Sequence, residues 1–245
     1  MKRGSFIHYF FSEVCPPFIR DNRQLMSFLA KRTGNPQVVD YTRDFREKLP
    51  YMNNDEIKEY YTKLSMLTPN LEQELDVKAD CLEYILDYAI LHPEKTRWLD
   101  CACGGGGVTK MLANLGKKVT GVDFFISDSL KSNIVENASF IECNILQLPF
   151  EDNSFDIVLS AHTLEHIVQI QSAISELRRV AKETLIIIVP KQREYKYTFE
   201  THVHFFPYAE SFHRIMENPA AKCFYLDNDI LYIEELYPVN RIEDK

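Results

Sequence analysis

The chain reads as an α/β protein: a doubly wound, mostly parallel sheet closed by a C-terminal antiparallel hairpin and preceded by a helical N-terminal extension. Three observations predict this. From Thr96 onward, short apolar runs alternate with segments of helical spacing, the pattern of a parallel sheet with right-handed crossovers. Leu185-Ile186-Ile187-Ile188-Val189 is apolar throughout, as a strand covered on both faces must be. Near the end, Cys223-Phe224-Tyr225-Leu226, the turn Asp227-Asn228-Asp229 and the run Ile230 to Leu236 spell a hairpin.

The elements follow in order. Residues before about 70 are polar and aromatic, with breaks at Pro36, Pro50 and Pro69. The run Phe6-Ile7-His8-Tyr9-Phe10-Phe11 is too short to span a bilayer, so a short aromatic helix packed on the body is expected. Glu13 and Pro16-Pro17 follow it with no small-residue cleavage site, and no signal peptide is expected. Asn53-Asn54-Asp55 offers an N-cap for a helix through Leu64. Leu71, Leu75, Leu82, Ile85, Leu86, Ala89 and Ile90 recur at helical spacing, and His92-Pro93 stops that helix. A first strand is expected from Trp98 to Ala102. The next helix carries Val108, Met111, Leu112 and Leu115 on one face, with Gly116 as its C-cap. Further strands are expected at Lys118 to Asp123, Ser139 to Cys143 and Phe155 to Ala161. A helix carrying Ile170, Ala173, Ile174, Leu177 and Val180 precedes the all-apolar strand. A last helix, Ala209 to Met216, stops at Asn218-Pro219. The expected organisation is an extension over 1–75, plausible as a substrate cap, and one domain over 76–245. Within that domain lie a cofactor core at 96–190, an acceptor-side insertion at 191–208, and the terminal helix and hairpin at 209–238.

Composition narrows the function. The 245 residues are 45% hydrophobic and 26% charged, with a net charge of −8. An acidic surface argues against nucleic acid as partner, because backbone phosphates need clustered Lys and Arg. The six cysteines, at 15, 81, 101, 103, 143 and 223, include no C-x-x-C pair. They read as small buried residues in a reducing compartment, so a cytoplasmic location without membrane insertion is expected.

The chemistry concentrates in Trp98-Leu99-Asp100-Cys101-Ala102-Cys103-Gly104-Gly105-Gly106-Gly107, a buried strand running through a glycine-rich turn into a helix. Such a unit aims helix N-terminal N–H groups at an anionic ligand group at the carboxyl edge of a parallel sheet. Asp123 closes the second strand about twenty residues on, where an acid accepts from both ribose hydroxyls. Asn144 follows the third strand. It either bonds an adenine amino group, with Ile145 packing nearby, or forms an Asx turn.

With these residues in place, the chain resembles the class I S-adenosylmethionine-dependent methyltransferases, in particular the broad type 11 group, which are Rossmann-like. The motif D-x-G-x-G-x-G stands as Asp100-Cys101-Ala102-Cys103-Gly104-Gly105-Gly106. The segment L-P-F-x-D-x-S-F-D stands as Leu148 to Asp156, L-E-H as Leu164-Glu165-His166, and Glu176-Leu177-Arg178-Arg179-Val180 resembles the helix before strand five. The close resemblance covers roughly residues 75 to 190. It departs at two places: the first motif glycine is Ala102, and the usual acid after strand three is Asn144.

The resemblance implies S-adenosyl-L-methionine as cofactor, bound by Asp100, Cys101, Ala102, Cys103, Gly104, Gly106, Asp123, Phe124, Asn144, Ile145 and Ala161. It places the loop after strand four, with His162, Glu165 and His166, beside the methyl group. A histidine there suits an oxygen or nitrogen nucleophile that needs a base. His166 is otherwise a helix-start residue bonded to backbone. In ubiquinone-biosynthesis O-methyltransferases, which this region resembles, another glutamate precedes L-E-H, and these acids and the histidine can hold a divalent metal. His162 stands at that first position, and the expectation is no metal. His162 to His166 also spells H-x-x-E-H, an inverted zinc-protease pattern, but it follows a buried strand at a sheet edge rather than lying on a long helix. After strand five, His202 or His204 orients or deprotonates the acceptor, or the pair belongs to a half-buried strand. Lys191, Arg193 and Lys196 bind a phosphate or carboxylate, or form a solvated loop. The expected catalytic residues are His166, His162 and His204, and the expected acceptor is a small molecule or glycan methylated on oxygen. Two rivals remain: a catalytically silent S-adenosylmethionine-binding protein, and a dinucleotide-binding oxidoreductase. The second predicts a glycine where Thr109 stands.

Overall fold

A computed structural model describes residues 14–68, 77–132, 134–194 and 201–236. The aromatic run at 6–11, Leu71, Leu75 and Lys196 lie outside them. The longer helices that precede the sheet are α1 (Arg23–Thr33), α2 (Pro36–Thr42), α3 (Asn54–Leu67) and α4 (Ala79–Leu91), with single-turn helices at Pro17–Arg20 and Phe45–Lys48. Then come β1 (Arg97–Cys101), α5 (Gly107–Asn114), β2 (Lys118–Asp123), α6 (Asp128–Ser132), β3 (Ala138–Glu142), β4 (Phe155–Ala161), α7 (Ile170–Val180), β5 (Ala181–Pro190), α8 (Ala209–Met216), β6 (Lys222–Leu226) and β7 (Asp229–Glu235).

The seven strands form one sheet in the order β3-β2-β1-β4-β5-β7-β6. Neighbours pair in parallel from β3 through β5, whereas β7 pairs antiparallel with both β5 and β6. The strand order reverses between β1 and β4, and a crevice opens at such a reversal at the carboxyl ends of the strands. The hairpin turns on Asp227-Asn228, with Asp227 in the left-handed region at φ 52°.

Helices cover both faces. Leu185, Ile187 and Val189 of β5 pack with Ile174 and Leu177 of α7 and Phe212 and Met216 of α8. The alternate residues Ile186 and Ile188 pack with Cys81 and Ile85 of α4 and Leu112 of α5. All five of these β5 residues are fully buried, which is why the strand is apolar without alternation. Ahead of the sheet, Asn53 caps α3 reciprocally: its Oδ1 accepts from Glu56 N at 3.0 Å, and Glu56 Oε2 accepts from Asn53 N at 2.8 Å. That exchange satisfies two amides the helix end would otherwise leave open. An aromatic cluster of Tyr41, Phe45, Tyr60 and Tyr61 holds these helices together, with Phe45 and Tyr60 stacked at 3.9 Å between centroids.

Candidate active site

The carboxyl ends of β1, β2 and β4, the turn after β3 and the inward face of α3 enclose a cleft of about 800 Å³. Small-ligand sites typically occupy ~300–1,000 Å³. Of the eleven residues expected to hold a cofactor, ten line it: Asp100, Cys101, Ala102, Cys103, Gly104, Asp123, Phe124, Asn144, Ile145 and Ala161.

The glycine loop divides its labour. Gly104 has φ 51°, and a Cβ there would meet nothing within 4 Å; that position faces open space in the cleft. Gly106, the one expected residue outside the lining, has φ 73°, and a Cβ there would lie 2.7 Å from Phe140 Cε1. Its lack of a side chain lets β3 pack against the start of α5. Ala102 adopts φ 63°. The alanine at the first motif position therefore keeps the glycine-like conformation and bears its strain, of order ~1–2 kcal/mol.

Two carboxylates frame this loop. Asp100 is buried, and its Oδ2 accepts from Thr109 Oγ1 at 2.6 Å. Burial raises it to about 6 against that hydrogen bond, with the Asp123 charge adding to the rise. Asp123 accepts from Gly104 N (2.9 Å, Oδ2) and from Phe125 N (3.2 Å, Oδ1). Burial pushes its carboxyl up, opposed by the backbone amides of Gly104, Phe125 and Phe124. Asn144 takes the Asx-turn geometry, its Oδ1 accepting from Leu146 N at 2.9 Å.

The three expected catalytic histidines part company. His166 lines the cleft; its Nδ1 lies 3.1 Å from Thr201 O and 3.0 Å from Thr201 Oγ1, which orients the ring. His162 also lines the cleft, at φ 51°. Its ring is wedged between two buried carboxylates, with Nε2 3.3 Å from Asp229 Oδ2 and Nδ1 3.6 Å from Glu165 Oε1. Burial works against its charge, but Asp229 and Glu165 outweigh burial and raise the imidazole to about 9. His204 is absent from the lining; it donates from Nε2 to Ile167 O at 2.9 Å and stacks on Phe206 at 6.5 Å between centroids, which ties the loop to the segment after β4.

Several lining residues carried no sequence signal. Leu49 and Met52 enter from the segment just before α3, and Ile57, Tyr61 and Leu64 from one face of α3 at helical spacing. Burial pushes the Tyr61 phenol up against a hydrogen bond with Thr201. Glu165 is fully buried, and neither of its carboxylate oxygens has a hydrogen-bond partner. His166 Nε2 lies 3.9 Å and His202 Nε2 4.0 Å from its Oε1. Asp229, which faces His162, is in turn held by Lys78 Nζ at 3.0 Å.

Residues 99–189 match the family model described as "Methyltransferase domain". The chain is 36% identical over 100 residues to 2-phytyl-1,4-naphtoquinone methyltransferase of Trichormus variabilis, covering 34% of this chain and 41% of that protein. It is 30% identical over 115 residues to ubiquinone biosynthesis O-methyltransferase of Rickettsia typhi, covering 44% and 47%. An uncharacterized protein of Methanocaldococcus jannaschii is 39% identical over 93 residues, covering 37% and 39%. The chain thus spans less than half the length of these relatives. Among solved structures, Burkholderia thailandensis 1,6-didemethyltoxoflavin-N1-methyltransferase, with 1,6-didemethyltoxoflavin and S-adenosylhomocysteine bound, superposes with a TM-score of 0.59 at 13% identity, over 73% of this chain and 86% of that one. The likeness is one of fold.

Proposed function

We infer that this chain, whose residues 99–189 match the family described as "Methyltransferase domain", is a class I S-adenosylmethionine-dependent methyltransferase that transfers a methyl group to the oxygen of a small-molecule or glycan-type acceptor. One observation carries the reading: the ligand-facing void at Gly104 and the preorganised carboxylate of Asp123 share one cleft with a histidine-bearing loop.

S-adenosylmethionine supplies a methyl group already activated by its sulfonium charge, so the chain's task is to bind and orient the reactants. Asp123 spends one lone pair of each oxygen on a backbone amide and keeps the others for two ribose hydroxyls. Asn144, with its carbonyl oxygen engaged by Leu146, presents amide N–H groups to the adenine ring, and Ile145 packs beside it. The open side of Gly104 accommodates the amino-acid portion. On the acceptor side, Met52, Ile57, Tyr61 and Leu64 give an apolar cover that excludes water, so the N-terminal helices act as the cap. Deprotonating an acceptor hydroxyl falls to the cluster around Glu165, where His166 faces the cleft. His162 offers no lone pair to the cleft, because each ring nitrogen faces a buried carboxylate.

Calorimetric titration with S-adenosylmethionine, S-adenosylhomocysteine and NAD tests the reading. The first two bind and NAD does not; an assay of S-adenosylhomocysteine release over acceptor classes then shows release only with an acceptor present. Gly104→Val abolishes binding. Failure of both sulfur ligands to bind the wild-type chain refutes the proposal.

A further inference from the structure

Asp229 opens β7, does not line the cleft, and is buried. No step of the proposed methyl transfer uses it. A buried carboxylate is costly unless it is paired, so its partners show what it does. Its Oδ1 takes Lys78 Nζ at 3.0 Å, from the residue before α4. Its Oδ2 lies 3.3 Å from His162 Nε2 and accepts from Cys81 Sγ at 3.8 Å. On the far side of the imidazole, Nδ1 lies 3.6 Å from Glu165 Oε1, and that oxygen lies 3.9 Å from His166 Nε2. Lysine, aspartate, imidazole and glutamate thus alternate in one line from α4 and the hairpin to the loop beside the cleft.

We propose that Asp229 is a positioning residue for this loop: seated by Lys78, it anchors the His162 ring, and the ring in turn holds Glu165 beside His166. Three observations support this. The first is the backbone. His162 stands at φ 51° where the chain leaves β4, a conformation that disfavours a side chain. Its N–H donates to Ile188 O at 2.8 Å, and its ring is gripped on both edges by carboxylates from two different elements.

The second is charge. Burial opposes the imidazolium, but Asp229 and Glu165 outweigh it and raise His162 to about 9. Burial likewise opposes both carboxylates, yet His162 with the other two imidazoles draws Glu165 down to about 2, and His162 with Lys78 draws Asp229 down. His162 is therefore a cation at neutral pH, and the line is balanced, with Asp227 lying 3.9 Å from Lys78 at its exposed end. The third is the loop after β5. Glu165 O accepts from Val203 N at 2.7 Å and His204 N at 3.0 Å, so whatever positions Glu165 also seats that loop.

Without Asp229 the ring keeps one carboxylate, and burial then favours its neutral form. Glu165 loses its cation, and the backbone that it organises loosens. The consequence for His166 as a base rests on the methyl-transfer reading; the anchoring of the ring does not.

NMR of the full chain carrying isotope-labelled histidine tests the proposal. In the wild type the His162 imidazole is charged at pH 7 and titrates near 9. In Asp229→Asn its midpoint falls by at least ~1 pH unit. Amide exchange at His166 and Val203 speeds up ~10-fold or more in that variant, while Ile174 in α7 keeps the wild-type rate. Asp227→Asn, in the adjoining turn, leaves both measurements unchanged. His162→Asn suits the left-handed backbone and loosens the same amides. Adding Asp229→Asn to it loosens them no further, because Asp229 acts through the ring. Should Asp229→Asn misfold by circular dichroism, the wild type decides alone: the backbone carbonyl shifts of Glu165 and Val203 follow the His162 titration with the same midpoint. A neutral His162 at pH 7, carbonyl shifts that ignore its titration, an unchanged midpoint in folded Asp229→Asn, or additive loosening in the double variant each overturns the proposal. Calorimetry with S-adenosylmethionine keeps the two readings apart. A wild type that fails to bind it rejects methyl transfer and leaves the His162 result standing; one that binds it with an uncharged His162 rejects the anchoring alone.

Discussion

On the proposed reading, Asp123 is a recognition group built in advance. Its two backbone hydrogen bonds fix the carboxylate plane, so the ribose hydroxyls of that reading would meet an acceptor that needs no reorganisation. Removing it loses two charge-assisted hydrogen bonds and also releases the loop at Gly104. Asp123→Ala weakens S-adenosylmethionine binding by about 1–3 kcal/mol in calorimetry; an unchanged dissociation constant removes Asp123 from the binding site. Ala102 shows the opposite situation, a side chain kept where the backbone disfavours one. Ala102→Gly relieves left-handed strain and raises the unfolding free energy by about 1 kcal/mol in urea titration; no gain would mean the loop relaxes freely around the methyl group. Asp100, the glycines and Asp123 were legible in the sequence because strand, turn and helix follow one another locally. The surroundings of Glu165 were not: His202 arrives on the loop after β5 and Asp229 opens β7, and no spacing rule relates either to the H-T-L-E-H segment.

The turn between β1 and α5 shows how one motif serves two masters. Gly104 leaves room for a ligand, whereas Gly106 leaves room for Phe140 and Leu130. Gly106→Ala forces a Cβ onto the Phe140 ring at a left-handed φ and destabilises the protein by about 2–4 kcal/mol. Differential scanning calorimetry reads this as a lower unfolding temperature; retention of the wild-type value would show that β3 can move away without penalty. The strands and helices of the sheet were read closely from periodicity, but α4 begins only at Ala79, after the non-helical Val77 and Lys78, and β5 begins earlier than expected. Its apolar centre was plain, but the strand already begins at Ala181, straight from α7, through Lys182 and Glu183, whose charges conceal it. The segment around His202 and His204 resembled a strand by alternation. It forms none, because the Val203 and His204 amides are spent on Glu165 O and are unavailable to a ladder.

The N-terminal helices and the sheet meet through charges that no local pattern announces. Arg46 pairs with Glu194 and lies over Phe205, 4.8 Å from its centroid, and Lys58 of α3 pairs with Glu142 at the end of β3. The second contact makes the cover sensitive to acid. The hydrogen bond from Lys58, aided by Lys131 and Ile126 N against a burial cost, holds Glu142 at about 2, below its ordinary 4.5. A carboxyl whose folded pKa is depressed contributes stability that is full above 4.5 and is lost as pH falls towards 2. Exposed pairs are individually weak, typically below ~1 kcal/mol, so the expected response is local loosening rather than unfolding. Hydrogen exchange of the α3 amides, corrected for intrinsic pH dependence, speeds up by as much as about fivefold between pH 4.5 and 2. Lys58→Met removes the partner on the cover while leaving Lys131 to hold Glu142. In that variant α3 exchanges at the faster rate already at neutral pH and most of the acid dependence disappears. Equal exchange in wild type and variant across this window would show that the aromatic contacts alone seat the cover. Tyr61 would then reach the cleft without help from Glu142.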